Sequence, residues 1–197
     1  QMVAKGLNFP NVTLVGVVSV DQQLYNDDFR SLEKPFSLLT QVVGRSGRGE
    51  LKGKAIIQTL TPENEVIRLA ARQDYDAFFD TEIRLRRALV YPPYCDLCVV
   101  GFAGTDETVV KTAARNALEL LKRHLAGEFK GEKTIILGPM PARVAKVSGK
   151  FRYRLIIKCR NTGGMRRLIS RLLIETGEDS RFSKVTAYAD INPDSTV

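Results

Sequence analysis

The two adjacent prolines of Tyr91-Pro92-Pro93-Tyr94 limit this chain more than any other stretch. Each proline lacks an amide hydrogen, fixes its own φ and pushes the residue before it out of the helical region. No regular helix runs through such a pair, so the sequence divides there into two differently patterned parts. With 197 residues there is chain enough for two domains whose cores fold without covalent staples. The divisions expected from the patterning are residues 1–62, a helical connector over 63–94 and a second domain over 95–197.

Ahead of the prolines, Val12 to Val20 is an almost continuous β-branched run, the pattern of a strand buried on both faces. Lys54 to Leu60 is a second run of the same kind. Between them, after a loop with Tyr25 and Phe29, Pro35 opens a helix that carries Phe36, Leu38, Leu39, Val42 and Val43. Strand, helix, strand is the grammar of an α/β layer, and residues 1–62 predict the closing part of such a lobe. From Glu63 to Leu89 the periodicity turns helical. Val66, Ile67, Leu69 and Ala70 share one face, and Tyr75, Phe78, Phe79, Ile83, Leu85 and Leu89 line the next helix. Arg84, Arg86 and Arg87 are expected on a solvated face against Asp80 and Glu82.

Beyond the prolines, Leu97 to Phe102 predicts a strand, and Asp106 or Thr108 caps a helix over Val109 to Leu125. Thr134 to Leu137 predicts a short strand before Gly138-Pro139-Met140-Pro141. Ala142 to Val147 and Phe151 to Cys159 predict a hairpin turning at Ser148-Gly149. A helix over Met165 to Ile174 and a strand over Val185 to Ile191 complete the order β-α-β-β-β-α-β. Two helices on one face of a mainly antiparallel sheet would bury those apolar faces, making this an α+β domain.

The net charge of +8 is lopsided: residues 1–94 carry +1 and residues 95–197 carry +7. A basic second half favours a polyanionic partner. Along Phe151 to Arg160, Arg152, Arg154, Ile156, Lys158 and Arg160 alternate with apolar residues and share one strand face. With Lys146 and Lys150 in the facing arm and turn, they form either a phosphate-tracking stripe or a solvated edge strand. Cys95 and Cys98 have zinc-like spacing but no second pair, so no metal site is expected. The odd count of three cysteines suits a reducing cytosol. No stretch approaches a membrane span, and no membrane partner is expected. No Walker-type loop, Ser-His-Asp set or paired carboxylates occur in these 197 residues.

Gln41-Val42-Val43-Gly44-Arg45-Ser46-Gly47-Arg48 follows directly on the first helix. Two guanidinium groups beside glycines suit phosphate oxygens, each able to donate paired charged hydrogen bonds. The same spacing suits a helix C-terminus closed by a left-handed glycine. Spacing alone leaves both readings open.

Taken with its neighbours, this stretch resembles motif VI of superfamily 2 helicases in the form found in the primosomal protein N′ (PriA) family of replication-restart DNA helicases. Gln1 to Val12 resembles that family's motif V. Leu24-Tyr25, Asp28-Phe29-Arg30 and Glu33 match its connecting segment, and Tyr91-Pro92-Pro93, Leu137-Gly138-Pro139 and Asp190-Ile191-Asn192-Pro193 match later landmarks. The resemblance covers the whole chain in order. It implies the end of a second RecA-like lobe followed by a ribosomal S10-like domain, within an ATP-dependent 3′-5′ helicase of the bacterial cytoplasm and nucleoid. It further implies recognition of stalled forks and loading of the replicative helicase. Arg45 and Arg48 would meet the ATP phosphates, Arg48 as the arginine finger, with Gln41, Gly44, Gly6 and Asn8 binding nucleotide or coupling it to DNA. Lys5 would contact DNA, as would Lys146, Lys150, Arg152, Arg154, Lys158 and Arg160. Asn8 and Ser19 depart from the acidic or histidine residues that the family usually has there. ATP, Mg²⁺ and zinc would be held by parts of the full-length protein outside these residues. The implied partners are forked and single-stranded DNA, primosome proteins and single-strand-binding protein. The alternative from the residues alone is a stand-alone basic module that binds nucleic acid or protein.

Overall fold

The computed structural model describes residues 13–26, 28–44 and 53–196. It divides into two compact units, Gln1–Ala88 and Leu89–Val197. Among the described residues no helix is long and apolar enough to cross a membrane.

The first unit pairs β1 (Leu14–Val17) with β2 (Lys54–Ile57) in parallel, Leu14 opposite Lys54 and Val17 opposite Ile57. Parallel strands need a crossover. Here it includes the short α1 (Asp21–Leu24) and the longer α2 (Glu33–Val43). The expected strand-helix-strand order is therefore present. The strands are not buried on both faces, however: Leu14 is 58% and Ile56 50% exposed. Val17 and Ile57 pack on a helical core built from Val20, Leu24, Phe36, Leu39, Val66, Ile67, Ala70 and Phe78. The Asp21 carboxylate ties the strand ends together, accepting hydrogen bonds from Thr59 Oγ1 (2.7 Å) and the Leu60 amide (3.2 Å).

Helices α3 (Glu65–Arg72) and α4 (Tyr75–Leu89) follow. Asn64 caps α3 by accepting the Val66 amide. The Phe36 and Phe78 rings stack 3.9 Å apart. Both helices thus contribute to the first unit's core rather than forming a separate connector. Arg86 also differs from expectation. Its half-buried guanidinium donates to Glu82 (2.8 Å) and Glu33 (2.7 Å), because its i,i+4 carboxylate partner is buried with it.

In the second unit, β3 (Asp96–Gly104), α5 (Glu107–Ala126), β4 (Ile135–Val147), β5 (Lys150–Cys159), α6 (Gly163–Glu178) and β6 (Thr186–Ile191) follow in turn. The sheet order is β4-β5-β3-β6, with every neighbouring pair antiparallel. Asp106 and Thr162 cap the helices by accepting the Val109 and Met165 amides. Cys98, Val100 and Phe102 of β3, with Tyr153, Leu155 and Ile157 of β5, face Val110, Ala113, Leu121, Leu168 and Leu172 of the helices. The small residues Ala113, Ala114 and Ala117 let α5 lie close against this sheet face.

The observed order is β-α-β-β-α-β, one strand fewer than expected. Gly138 to Pro141 does not end a strand. It is a bulged stretch within β4, where the register to β5 shifts between Leu137 and Met140. Gly138 sits at φ +97°, and a side chain there would collide with the Arg154 carbonyl.

Asn192, at φ +54°, closes the other end of the sheet. Its backbone amide donates to the Leu97 carbonyl (2.7 Å), its side-chain oxygen accepts the Leu97 amide (3.0 Å), and its amide nitrogen donates to Asp96 (3.0 Å). Asp96 also accepts the Asn161 amide at 2.9 Å. These bonds, the Asn161 amide first and Asn192 next, hold the Asp96 carboxyl below the usual range. A carboxylate lowered in this way contributes stability above its unfolded pKa of about 4 and loses it as pH falls through the lower folded value. Asp96→Asn is therefore expected to lower the urea midpoint at neutral pH. The difference from the parent protein should shrink below about pH 4; a gap that does not change with pH would remove Asp96 from this role.

Candidate nucleic-acid interface

The hairpin of β4 and β5 turns through Ser148 and Gly149, both at positive φ (48° and 79°), as a two-residue turn of this hand requires. Lys146 pairs with Phe151 and Val147 with Lys150 across it. Residues 143–150 are all exposed, so this end of the hairpin stands clear of the helices. Lys146 Nζ lies 4.4 Å from the Phe151 ring centroid, close enough for a cation–π contact. Arg143, Lys146 and Lys150 are exposed and Arg152 is half-buried. No Asp or Glu occurs between Glu132 and Glu175, so the arm is cationic along its whole length. Arg143 was not singled out by strand alternation because the bulged register of β4 interrupts the period. The acid-free run is the signal that would have found it.

The cationic strand face is not uniform. Strand β5 lies between β4 and β3, so it is not an edge strand, and the solvated-edge reading does not hold. Arg154 is 7% exposed and Lys158 8%. Lys158 Nζ donates to the Leu89 carbonyl (2.6 Å) and sits 3.6 Å from the centroid of the Tyr91 ring. Burial lowers its pKa. Arg154 stands in a cross-strand row with Met140 and Gly101, and Tyr188 continues that row on β6. Arg160, one residue past β5, is exposed. The described structure therefore places four of the six expected cations, Lys146, Lys150, Arg152 and Arg160, within reach of solvent, and two beneath the surface. Ile156, buried at the middle of the same face, marked in the sequence that this face is partly covered.

In the first unit, Gln41 is exposed on α2, its amide 3.3 Å from Ser37 Oγ. The two residues line a cavity of about 270 Å³ with Arg30, Glu33, Lys34 and Leu38. Gly44 ends α2 at φ −68°, with its amide donating to Thr40, so it is not a left-handed cap. A side chain at Gly44 would press on the Gln73 amide and the Thr40 carbonyl. Arg45, Arg48, Lys5, Gly6 and Asn8 lie outside the described residues.

The three cysteines are buried, and burial pushes the thiols of Cys98 and Cys159 up to about 12 and about 11. Cys95 Sγ donates to the Val90 carbonyl. Among the described residues no group of three His, Cys, Asp or Glu side chains converges as a metal site would need.

Residues 87–194 match the family model described as "Primosomal protein N C-terminal domain". The chain belongs to that family. Relatives named "Replication restart protein PriA" include that of Bacillus subtilis, 39% identical over 98% of this chain and 23% of its own length. Those of Synechocystis sp. (40% identical over 80% of this chain and 18% of the relative) and Chlamydia muridarum (38%, 98% and 25%) are similar too. The chain thus spans about a quarter or less of the relatives it matches. Within the family domain, three of the sequence landmarks have structural duties: Tyr91 takes the Lys158 ammonium, Gly138 forms the β4 bulge, and Asn192 clamps β3 to β6. Lys158→Met keeps the stem but loses the charged hydrogen bond and the cation–π contact. It is expected to cost about 1–3 kcal/mol in urea unfolding while leaving the salt dependence of oligonucleotide binding unchanged. A reduced salt slope would instead place Lys158 on phosphate.

Proposed function

We propose that this chain is the C-terminal part of an ATP-dependent 3′-5′ DNA helicase that recognises stalled replication forks and starts primosome assembly in replication restart. The observation that carries the DNA part of this reading is the exposed hairpin arm, cationic and free of acids. Membership of the primosomal protein N C-terminal domain family, and the names of its relatives, support the replication-restart role.

On this reading the second unit is an S10-like domain that holds DNA through its backbone. Lys146, Lys150, Arg152 and Arg160, with Arg143 beside them, meet phosphates and fix position without reading bases. Arg154 and Lys158 support that surface from beneath. Lys5 adds a phosphate contact from motif V. The partners are forked and single-stranded DNA, primosome proteins and single-strand-binding protein, and the protein works in the bacterial cytoplasm at the nucleoid. Charge reversal of Lys146, Lys150 and Arg152 together is expected to lower the slope of log affinity against log salt by about 2–3 for a forked duplex, one released counterion for each lost contact. An unchanged slope would return the arm to a merely solvated surface.

The first unit is read as the end of a second RecA-like lobe. Arg45 and Arg48 follow α2 and close over the phosphates of ATP, Arg48 stabilising charge on the transferred phosphoryl group. Gln41 and Gly44 hold the approach to them, and Gly6 and Asn8 couple nucleotide to DNA. Gln41 is exposed near the end of α2, beside a cavity that Arg30, Glu33 and Lys34 also line. ATP and Mg²⁺, like structural zinc, are assigned to the full-length protein, since these residues include no Walker-type loop or zinc-spaced cysteine set. The chain alone is accordingly assigned no ATPase. In the full-length protein Arg48→Ala should lower kcat for ATP at least about a hundredfold with little change in DNA affinity. Loss of DNA affinity with kcat preserved would exclude the finger role.

A further inference from the structure

We propose that Tyr188, seated over Gly101 and flanked by Arg152 and Arg154, is a stacking seat for one base of single-stranded DNA. The proposal rests on the DNA reading of the second unit and adds a base contact to its phosphate contacts.

Tyr188 lies on β6 directly opposite Gly101, and Arg154 lies opposite Gly101 on the other side. Gly101 has no side chain, and a Cβ there would overlap the Tyr188 ring. The ring therefore lies down across the middle strand instead of standing off it. It remains 41% exposed, and among the described residues none hydrogen-bonds its hydroxyl. The next row holds Arg152, Ala103 and Thr186. Its centre is again small, so the sheet beside the ring is low and its β5 flank is cationic. This face is opposite the one that α5 and α6 cover.

An aromatic ring lying flat on a sheet, with arginine at its side, matches the chemistry of an unpaired base joined to phosphate. Every base has a face to stack, so the seat needs no sequence. The charges on this face also give the strand a direction. Asp190 stands one row beyond Tyr188, opposite Val99, and repels phosphate there. Arg152, one row the other way, leads toward Lys150 and Lys146 on the hairpin arm. A strand seated on Tyr188 therefore runs its backbone over Arg152 to the arm. Duplex DNA offers no free base face, so the committed occupant is single-stranded.

Covering the Gly101 backbone is a structural use of aromatic residues in sheets, distinct from seating a base. Binding measurements on the full chain separate the two. The probes are an oligo-dT strand and an abasic strand of equal length, with Tyr188→Ala and Tyr188→Phe as variants. Tyr188→Ala should weaken oligo-dT binding about tenfold and leave abasic binding unchanged, and Tyr188→Phe should retain both affinities. Equal loss on both strands, or no loss on oligo-dT, overturns the seat. A second measurement needs no variant. An oligonucleotide carrying 5-iodouracil, irradiated on the parent chain, should cross-link at Tyr188, and cross-links confined to other residues overturn the proposal. If the parent chain binds neither strand, the DNA reading of the whole unit falls with it. If it binds both strands equally well and Tyr188→Ala changes nothing, the seat alone falls.

Discussion

The hydrogen bonds that hold β5 between β4 and β3 decide what each of its side chains can do. A strand paired on both edges has no lateral access to water, so its side chains reach solvent only through the two sheet faces. One face is closed by α5 and α6, and Tyr153, Leu155 and Ile157 are buried there. On the other face, depth is graded along the strand. Lys158 ends beneath Tyr91, Ile156 and Arg154 are buried, Arg152 is half-buried, and Lys150 is exposed at the turn. A regular alternation of charge in the sequence thus becomes a gradient, with support at one end and exposed cations at the other.

The two ends of that gradient have different energetic roles. A buried ammonium is costly unless its charge is met, and Lys158 is met by a carbonyl and an aromatic face. Its removal would leave the Leu89 carbonyl without this charged donor. The exposed cations of the arm pack less and contribute little to folding, because surface charge is screened. Their value is in the field they create where no acid is nearby. Asn192 and Gly138 complete the division. One locks the ends of β3 and β6 together, the other lets β4 bend past Arg154, and both use backbone conformations that most residues adopt poorly.

Much of the fold was legible because periodicity reports burial directly. The cap at Asp106, the helical faces, the Ser148-Gly149 turn and the last strand all follow from local pattern and appear close to where that pattern put them. Gly138 to Pro141 was less legible. Glycine and prolines there look like a break, and only pairing to β5 shows that the strand bends and continues. Partial burial was harder still. Whether Lys158 meets water depends on Leu89 and Tyr91, which approach from more than 60 residues away in sequence, and no window along β5 contains that information. Arg86 is the same case in the first unit, its second carboxylate partner, Glu33, lying far upstream.

The Gly-Arg stretch now has a firmer local context. A left-handed glycine at position 44 would have turned the chain sharply back and satisfied the last carbonyls of α2 by itself. Instead Gly44 keeps a right-handed conformation, and a Cβ there would meet the Gln73 amide at 3.0 Å and the Thr40 carbonyl at 3.2 Å, a contact that the exposed end of Gln73 can relieve by a small shift. Gly44 thus meets Gln73, the residue that closes α3, and Arg45 and Arg48 lie outside the described residues. Gln41, near the end of the same helix, lines a cavity with Arg30, Glu33 and Lys34, in which Glu33 pairs with Arg30 and Asp28 with Lys34.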